Sequence, residues 1–386
     1  MDLKITAYII GALFLLCTLL SACEKEGNIT EPTTENQITV KKEVRGVWLT
    51  CYELKSMLAD GTEATFRAEV EKMMNECKKQ EINTVFIQVR PFADSVYPSD
   101  IFPLSDYVLS SNGNEPQFDV LSVFIQLVNE EGIDVHAWVN PYRVSYKTRL
   151  SQLDKDSIAF SNEYKNAVVC TDAGIYLNPC FDKSRLLVLK GIREILENYN
   201  VSGIHIDDYF YPLTYESFDE AHYGDYCEQG GKLGLAQWRR ENVNSLVSSI
   251  YSLVHSYGDG TAFSISPAGD IEKNYSVYYA DVRLWMREKG YADIIIPQIY
   301  YGFEHEKMPF EAVAEKWLEC ERAEDVDMLC GLAAYKQGEA DELAGKGINE
   351  WINSSEIIER QKMYVGNSLF SGYVLFSYKN IIDDGM

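Results

Sequence analysis

The sequence predicts an α/β fold, a (β/α)8 TIM barrel that forms one catalytic domain. Three observations predict it. β-rich runs recur eight times, amphipathic stretches with helical spacing lie between them, and polar and aromatic residues gather just after the runs. Barrels of this kind keep their sites at the C-terminal ends of the strands, so the third observation bears on function as well as fold.

The runs, in order, are RGVWLT (45–50), TVFIQVR (84–90), DVHAWVN (134–140), GIHIDD (203–208), AFSISP (262–267), DIIIPQIYY (293–301), DMLCGLAAY (327–335) and GYVLFSYK (372–379). Between the first two, Phe66, Val70, Met73, Met74 and Cys77 repeat at helical spacing. Comparable stretches occupy about 118–131, 184–199, 233–256, 276–289, 309–323 and 354–365. That makes seven helices for eight strands. Only NIIDDGM follows the last strand, so that side of the barrel is expected to be covered differently or left thinner. The long insertion after the third strand, about 144–182, is expected to form a lid or a wall of the cleft.

The N-terminal residues read differently. Lys4 precedes an apolar run from Ile5 to Leu20, followed by Leu20-Ser21-Ala22-Cys23. A short apolar core followed by small residues is the pattern of a signal peptide, and the tetrapeptide resembles a bacterial lipobox, in which Cys23 becomes the lipidated first residue of the mature chain. Residues 1–23 are therefore expected to be a lipoprotein signal, 24–43 a polar, flexible tether, and 44–386 the barrel. The expected location is the periplasmic or cell-surface side of an outer membrane, anchored through lipid.

With 386 residues, 46% of them hydrophobic, the chain has material for a large core. A net charge of -24 and the lack of clustered Lys and Arg exclude a nucleic-acid partner. The seven cysteines beyond Cys17 and Cys23 show no CxxC pair and no zinc spacing. Most read as buried thiols, with a local Cys170–Cys180 disulfide as the alternative. No GxSxG elbow, HExxH helix or P-loop occurs, and no cofactor or metal is expected.

The fourth run carries the densest chemistry, GIHIDDYFYP from Gly203 to Pro212. Strand alternation turns Ile204 and Ile206 outward and His205 and Asp207 into the barrel, with Asp208 at the strand end. The same alternation turns His136, Trp138 and Asn140 inward on the third strand, and Gln88 and Arg90 on the second. Asp94, Asp207, Asp208, Asp270 and Glu304 then supply more carboxyl groups than the two that glycoside hydrolysis requires. Trp138, Tyr142, Tyr209, Tyr211, Tyr300 and Tyr301 suit the apolar faces of sugar rings, while Arg90, Asn140, Arg143 and Gln298 suit hydroxyls. His205 reads as a support for Asp207. The competing reading is structural: Asp208 caps the loop and Asp207 pairs with Arg90 or Arg143.

The ordered segments RGVWLT, QVRPFADSVYPSD, HAWVNPYR, GIHIDDYFYP, SISPAGD and PQIYY, covering about 45–301, resemble the successive motifs of the bacterial glycosyl hydrolase-like family ten. Members of that family are barrel proteins, often lipoproteins. The resemblance implies a glycosidase of cell-wall or related glycans, with peptidoglycan strands lacking stem peptides as the favoured substrate. It also suggests a substrate-assisted route, since enzymes that use one place two adjacent acids at the end of the fourth strand. Asp207 would orient the substrate's acetamide and Asp208 would protonate the leaving oxygen. The alternative makes Asp207 the nucleophile or base and takes the acid from Glu304 or Asp270. Two other functions fit the same residues: hydrolysis of dietary or host polysaccharide, and glycan binding by a surface lipoprotein without turnover.

Overall fold

A computed structural model describes residues 43–207, 210–211, 217, 219–258 and 260–382. Cys23, the leader, the tether, Asp208 and Tyr209 lie outside these residues. In chain order the strands are β1 (Val44–Leu49), β2 (Thr84–Arg90), β3 (Asp134–Val139), β4 (Arg143–Ser145), β5 (Val168–Thr171), β6 (Gly174–Leu177), β7 (Gly203–Ile206), β8 (Ala262–Ile265), β9 (Ile294–Ile295), β10 (Asp327–Met328), β11 (Cys330–Leu332) and β12 (Gly372–Phe376).

Nine of them form one parallel sheet in the order β10-β9-β8-β7-β3-β2-β1-β12-β11. Its two outer members are consecutive pieces of a single run, 327–332. Leu329 N donates to Ile295 O and Gly331 N to Pro297 O, both at 2.9 Å, so this run joins β9 to β12 and brings the ring round on itself. The expected eight-run barrel is present.

Alternation sorts the side chains into two cores. Outward residues such as Val47, Val85, Ile204 and Phe263 pack under the helices with Phe66, Val70 and Met73. Inward ones, Trp48, Phe86, Trp138, Ile296, Leu329 and Val374, fill the barrel itself. The seven expected helices are found, among them Glu63–Lys79, whose N-cap Thr62 accepts from Thr65 N, and Asp182–Asn198. Beyond β12 the described chain makes a short 3-10 turn at Tyr378–Asn380, and buried Tyr378 and Ile381 cover that side.

Two features depart from the sequence reading. A short helix, Cys51–Met57, follows β1 directly and is opened by a capping box between Thr50 and Glu53. The insertion after β3 contains a three-stranded antiparallel sheet, β4-β6-β5. Cys170 and Cys180 are not bonded to each other: all seven described cysteines are free thiols, and Cys51, Cys77 and Cys330 are buried.

Candidate active site

The lowest layer of the site is a closed hydrogen-bond set inside the barrel. Trp48 Nε1 donates to His205 Nε2 (3.1 Å), which fixes that nitrogen as an acceptor and leaves the proton on Nδ1, 2.8 Å from Ser264 Oγ. Ser266 Oγ also lies 3.2 Å from His205 Nε2, and His136 Nδ1 lies 3.2 Å from Ser264 Oγ. Full burial holds His205 well below the usual imidazole range and pushes His136 down to about 4. Both are neutral supports of the barrel interior at neutral pH. The partners that hold His205 here are Trp48, Ser264 and Ser266.

One layer higher, three adjacent strands contribute one polar chain. Gln88 at the end of β2 accepts from Cys51 N (3.0 Å) and donates from Nε2 to Asn140 Oδ1 (2.6 Å). Asn140, just beyond β3, donates from Nδ2 to Asp207 Oδ2 (2.6 Å). Each amide is thereby oriented by its neighbour, and the last one presents a donor to the carboxylate that follows β7. Gln88, Asn140 and Asp207 are all at least 90% buried. A carboxylate so enclosed is costly to bury without such donors.

Above this chain opens a cleft of about 860 Å³. Asp207, Gln88, Ser266, Gln298 and Arg143 give it polar points, and Trp48, Tyr52, Trp138, Tyr300, Tyr335 and Phe376 give it aromatic walls. The rings brace one another: Tyr300 meets Tyr335 edge-on at 5.9 Å, and Phe376 lies 5.9 Å from both Trp48 and Tyr335. Flat apolar walls around a few fixed polar groups suit a sugar, whose ring faces are apolar and whose edges carry hydroxyls. Gln298 is itself held, donating from Nε2 to Ser266 O (3.0 Å).

The sequence reading missed Glu53, a second carboxylate of this cleft. Both of its oxygens are occupied. Oε2 accepts from Thr50 N and Thr50 Oγ1 (2.6 and 2.7 Å), and Oε1 from Ser377 Oγ and Lys379 N (2.7 Å each). It clamps the chain after β1 to the chain after β12. The spacing of Thr50 and Glu53, three residues apart as a capping box requires, was the available signal.

Several expected site residues lie elsewhere. The β2–β3 register slips between Gln88 and Arg90, and this bulge reverses the facing of Arg90. Its guanidinium lies over the Phe102 ring at 3.9 Å and so close to Gly191 that a Cβ there would collide with it. Arg90 is thus packed under the helix Asp182–Asn198 and does not reach the cleft. Tyr142 is buried near Arg185 and Cys180, away from the cleft walls. Tyr211 donates to Asp219 (2.7 Å), which pairs with Arg239 at 2.6 Å. Asp94 accepts from Phe92 N, and burial pushes its carboxyl up to about 6.

The two alternative acids are also displaced. Asp270 is the N-cap of the helix Ile271–Ser276, accepting from Glu272 N and Lys273 N at 3.0 and 3.1 Å. It lines a different hollow, with Arg283 and Lys316. Glu304 is exposed on the loop after β9, and Tyr301 turns to His305 (5.2 Å) beside Asp270. Among the described residues the structure therefore brings together Asp207, Asn140, Trp138, Arg143, Gln298 and Tyr300, with His205 beneath them.

The comparisons with known proteins agree with this architecture. The sequence pattern of the family described as glycosyl hydrolase-like 10 matches residues 43–346. Glycosyl hydrolase DigH of Escherichia coli (strain K12) is 26% identical over 416 residues, covering 97% of this chain and 93% of DigH. Glycosyl hydrolase YngK of Bacillus subtilis (strain 168) is 29% identical over 334 residues, 82% of this chain; the match spans 64% of YngK, just under two thirds of its length. Among solved structures, the glycoside hydrolase domain of PgaB (BpsB) from Bordetella bronchiseptica superposes with a TM-score of 0.59 at 13% identity, covering 89% of this chain and 96% of that domain. That last likeness is one of fold. By its barrel and by a family match over most of its length, the chain belongs to the glycosyl hydrolase-like 10 family and to the glycoside hydrolase class of enzymes.

Proposed function

We propose that this enzyme hydrolyses glycosidic bonds of a bacterial cell-wall glycan, with peptidoglycan strands lacking stem peptides as its substrate. The observation that carries this reading is Asp207, a buried carboxylate held by Asn140 at the floor of an aromatic-walled cleft. In the mechanism, Asp207 orients the acetamide of an N-acetylated sugar. The acetamide oxygen attacks the anomeric carbon as its bond to the leaving oxygen breaks, and Asp208 gives that oxygen its proton. Water then attacks the anomeric carbon, opens the cyclic intermediate, and returns a proton to Asp208.

The state of the other carboxylates supports a route in which the substrate supplies the nucleophile. Glu53 has both oxygens bonded to Thr50, Ser377 and Lys379, which suits a strut better than an acid. Asp270 and Glu304 are outside the cleft lining. Glu69, on the helix Glu63–Lys79, is the remaining described carboxylate of the lining. In this reading Cys23 carries the lipid that anchors the enzyme to a membrane, with residues 24–43 as the tether.

Digestion of intact peptidoglycan, peptide-free glycan strands and chitin oligomers side by side, with mass spectrometry of the products, tests the proposal. The expected result is release of short saccharides from peptide-free strands ahead of the other two. Cleavage confined to plant or host polysaccharides in a parallel panel overturns the substrate, and binding of strands with no new reducing ends overturns hydrolysis.

A further inference from the structure

Two tyrosines at the mouth of the barrel are each 64% exposed, Tyr52 and Tyr146. Neither ring stands alone. Tyr52 meets Tyr107 edge-on with centroids 5.0 Å apart, and Tyr146 lies 5.8 Å from Phe92. Tyr107 and Phe92 are stacked at 6.1 Å with ring planes 19° apart, so the four rings make one unbroken file. Lys55 steadies its middle: Nζ lies 5.8 Å from the Tyr107 centroid and donates to Asp106 O at 2.8 Å.

The file is continuous with the cleft. Tyr52 lines the cleft of Asp207, and so does Arg143, the first residue of β4, whose strand ends one residue before Tyr146. Chain segments after β1, β2 and β4 thus carry one aromatic edge along this side of the mouth. Large exposed rings in one place mark a binding surface more often than scattered ones do. Rings already braced lose little freedom when a ligand covers them, which favours binding.

We propose that the exposed Tyr52 and Tyr146, braced from behind by Tyr107 and buried Phe92, form an outer glycan platform, on which sugar units of a substrate chain lie after they leave the cleft. A tyrosine offers a pyranose an apolar face and a hydroxyl at its edge. The inference rests on the cell-wall glycan reading above and adds to it a preference for long chains, set outside the catalytic cleft.

The test measures binding of length-fractionated, peptide-free glycan strands to the full chain carrying Asp207→Asn, which removes turnover from the readout. Affinity should rise with strand length. Adding Tyr146→Ala should lower affinity for long strands roughly threefold to tenfold, the equivalent of one lost aromatic contact, and abolish the rise, while Tyr146→Phe restores it. Because Tyr146 is exposed, the melting temperature should hold in all variants. Equal affinity of the Tyr146→Ala protein for long strands overturns the platform, as does an equal loss for disaccharides. If strands of every length fail to bind even the parent, platform and substrate reading fall together. If length-dependent binding is lost in Tyr146→Ala but the wild type releases no products, the platform stands and hydrolysis falls.

Discussion

Asp207 and Asp270 are the same residue type at the ends of neighbouring barrel strands, β7 and β8, yet the fold uses them in opposite ways. Asp207 is 3% exposed, hydrogen-bonded to another side chain, and open to the cleft. Asp270 spends its carboxylate on two backbone N–H groups at the start of a helix. A strand-end carboxylate that caps a helix outside the cleft is thus a weaker candidate for chemistry than one that lines it. Glu53, in the same cleft as Asp207, likewise accepts from backbone N–H groups, those of Thr50 and Lys379.

Swapping charge for amide at the two aspartates should widen that contrast. Asp207→Asn keeps shape and should lower turnover of glycan strands by about 10²–10⁴-fold, with little change in melting temperature. Asp270→Asn should leave turnover within a few fold, because an amide oxygen still caps. Equal effects at both positions, measured by product release per folded molecule, would erase the distinction.

Removing the residue that aims Asp207 should have a smaller, mixed effect. Asn140→Ala leaves Gln88 Nε2 and Asp207 Oδ2 without the partners seen here, which should cost about 1–3 kcal/mol of stability and lower kcat more than it raises KM. Asn140→Gln, with a longer reach, should recover stability better than kcat. Denaturant unfolding and steady-state kinetics on the same preparations check the split. A pure stability loss, with kcat intact, would make Asn140 a strut like Glu53.

The smallest effect belongs to Asp94. Its carboxyl is pushed up to about 6 by burial, above the unfolded value of about 3.9. A raised pKa means that the protonated form favours folding: the contribution is complete below about 3.9 and is lost as pH rises through about 6. Asp94→Asn should therefore gain melting temperature relative to wild type between pH 4 and pH 7. A difference independent of pH would show that Asp94 is ionised throughout and balanced by Arg90.

The barrel was legible because its signals are local and repeated. Each of the eight runs is a compact apolar segment, and Phe66, Val70, Met73 and Cys77 alone place the first long helix. Alternation also placed Gln88, Trp138, Asn140, His205 and Asp207 inward, as observed. It failed at Arg90 because a bulge adds a residue to the pleat, and nothing in the composition of TVFIQVR marks one. It could not place Tyr142, Tyr211 or Glu304, which lie past the strand ends where no period governs facing. Asp270 was readable in principle, since an Asp directly before a helix is a favoured N-cap.

The clamp at Glu53 has a consequence for how the molecule is made. It joins residues more than 300 positions apart, Glu53 to Ser377 and Lys379, and it sits just past the C-terminal end of the β1–β12 pairing, where Trp48 lies beside Phe376. A growing chain therefore carries an open sheet edge at β1 until its final strand has emerged, and ring closure must wait for the slowest, most distant contact in the fold. Until then that edge is open to pairing with neighbouring chains.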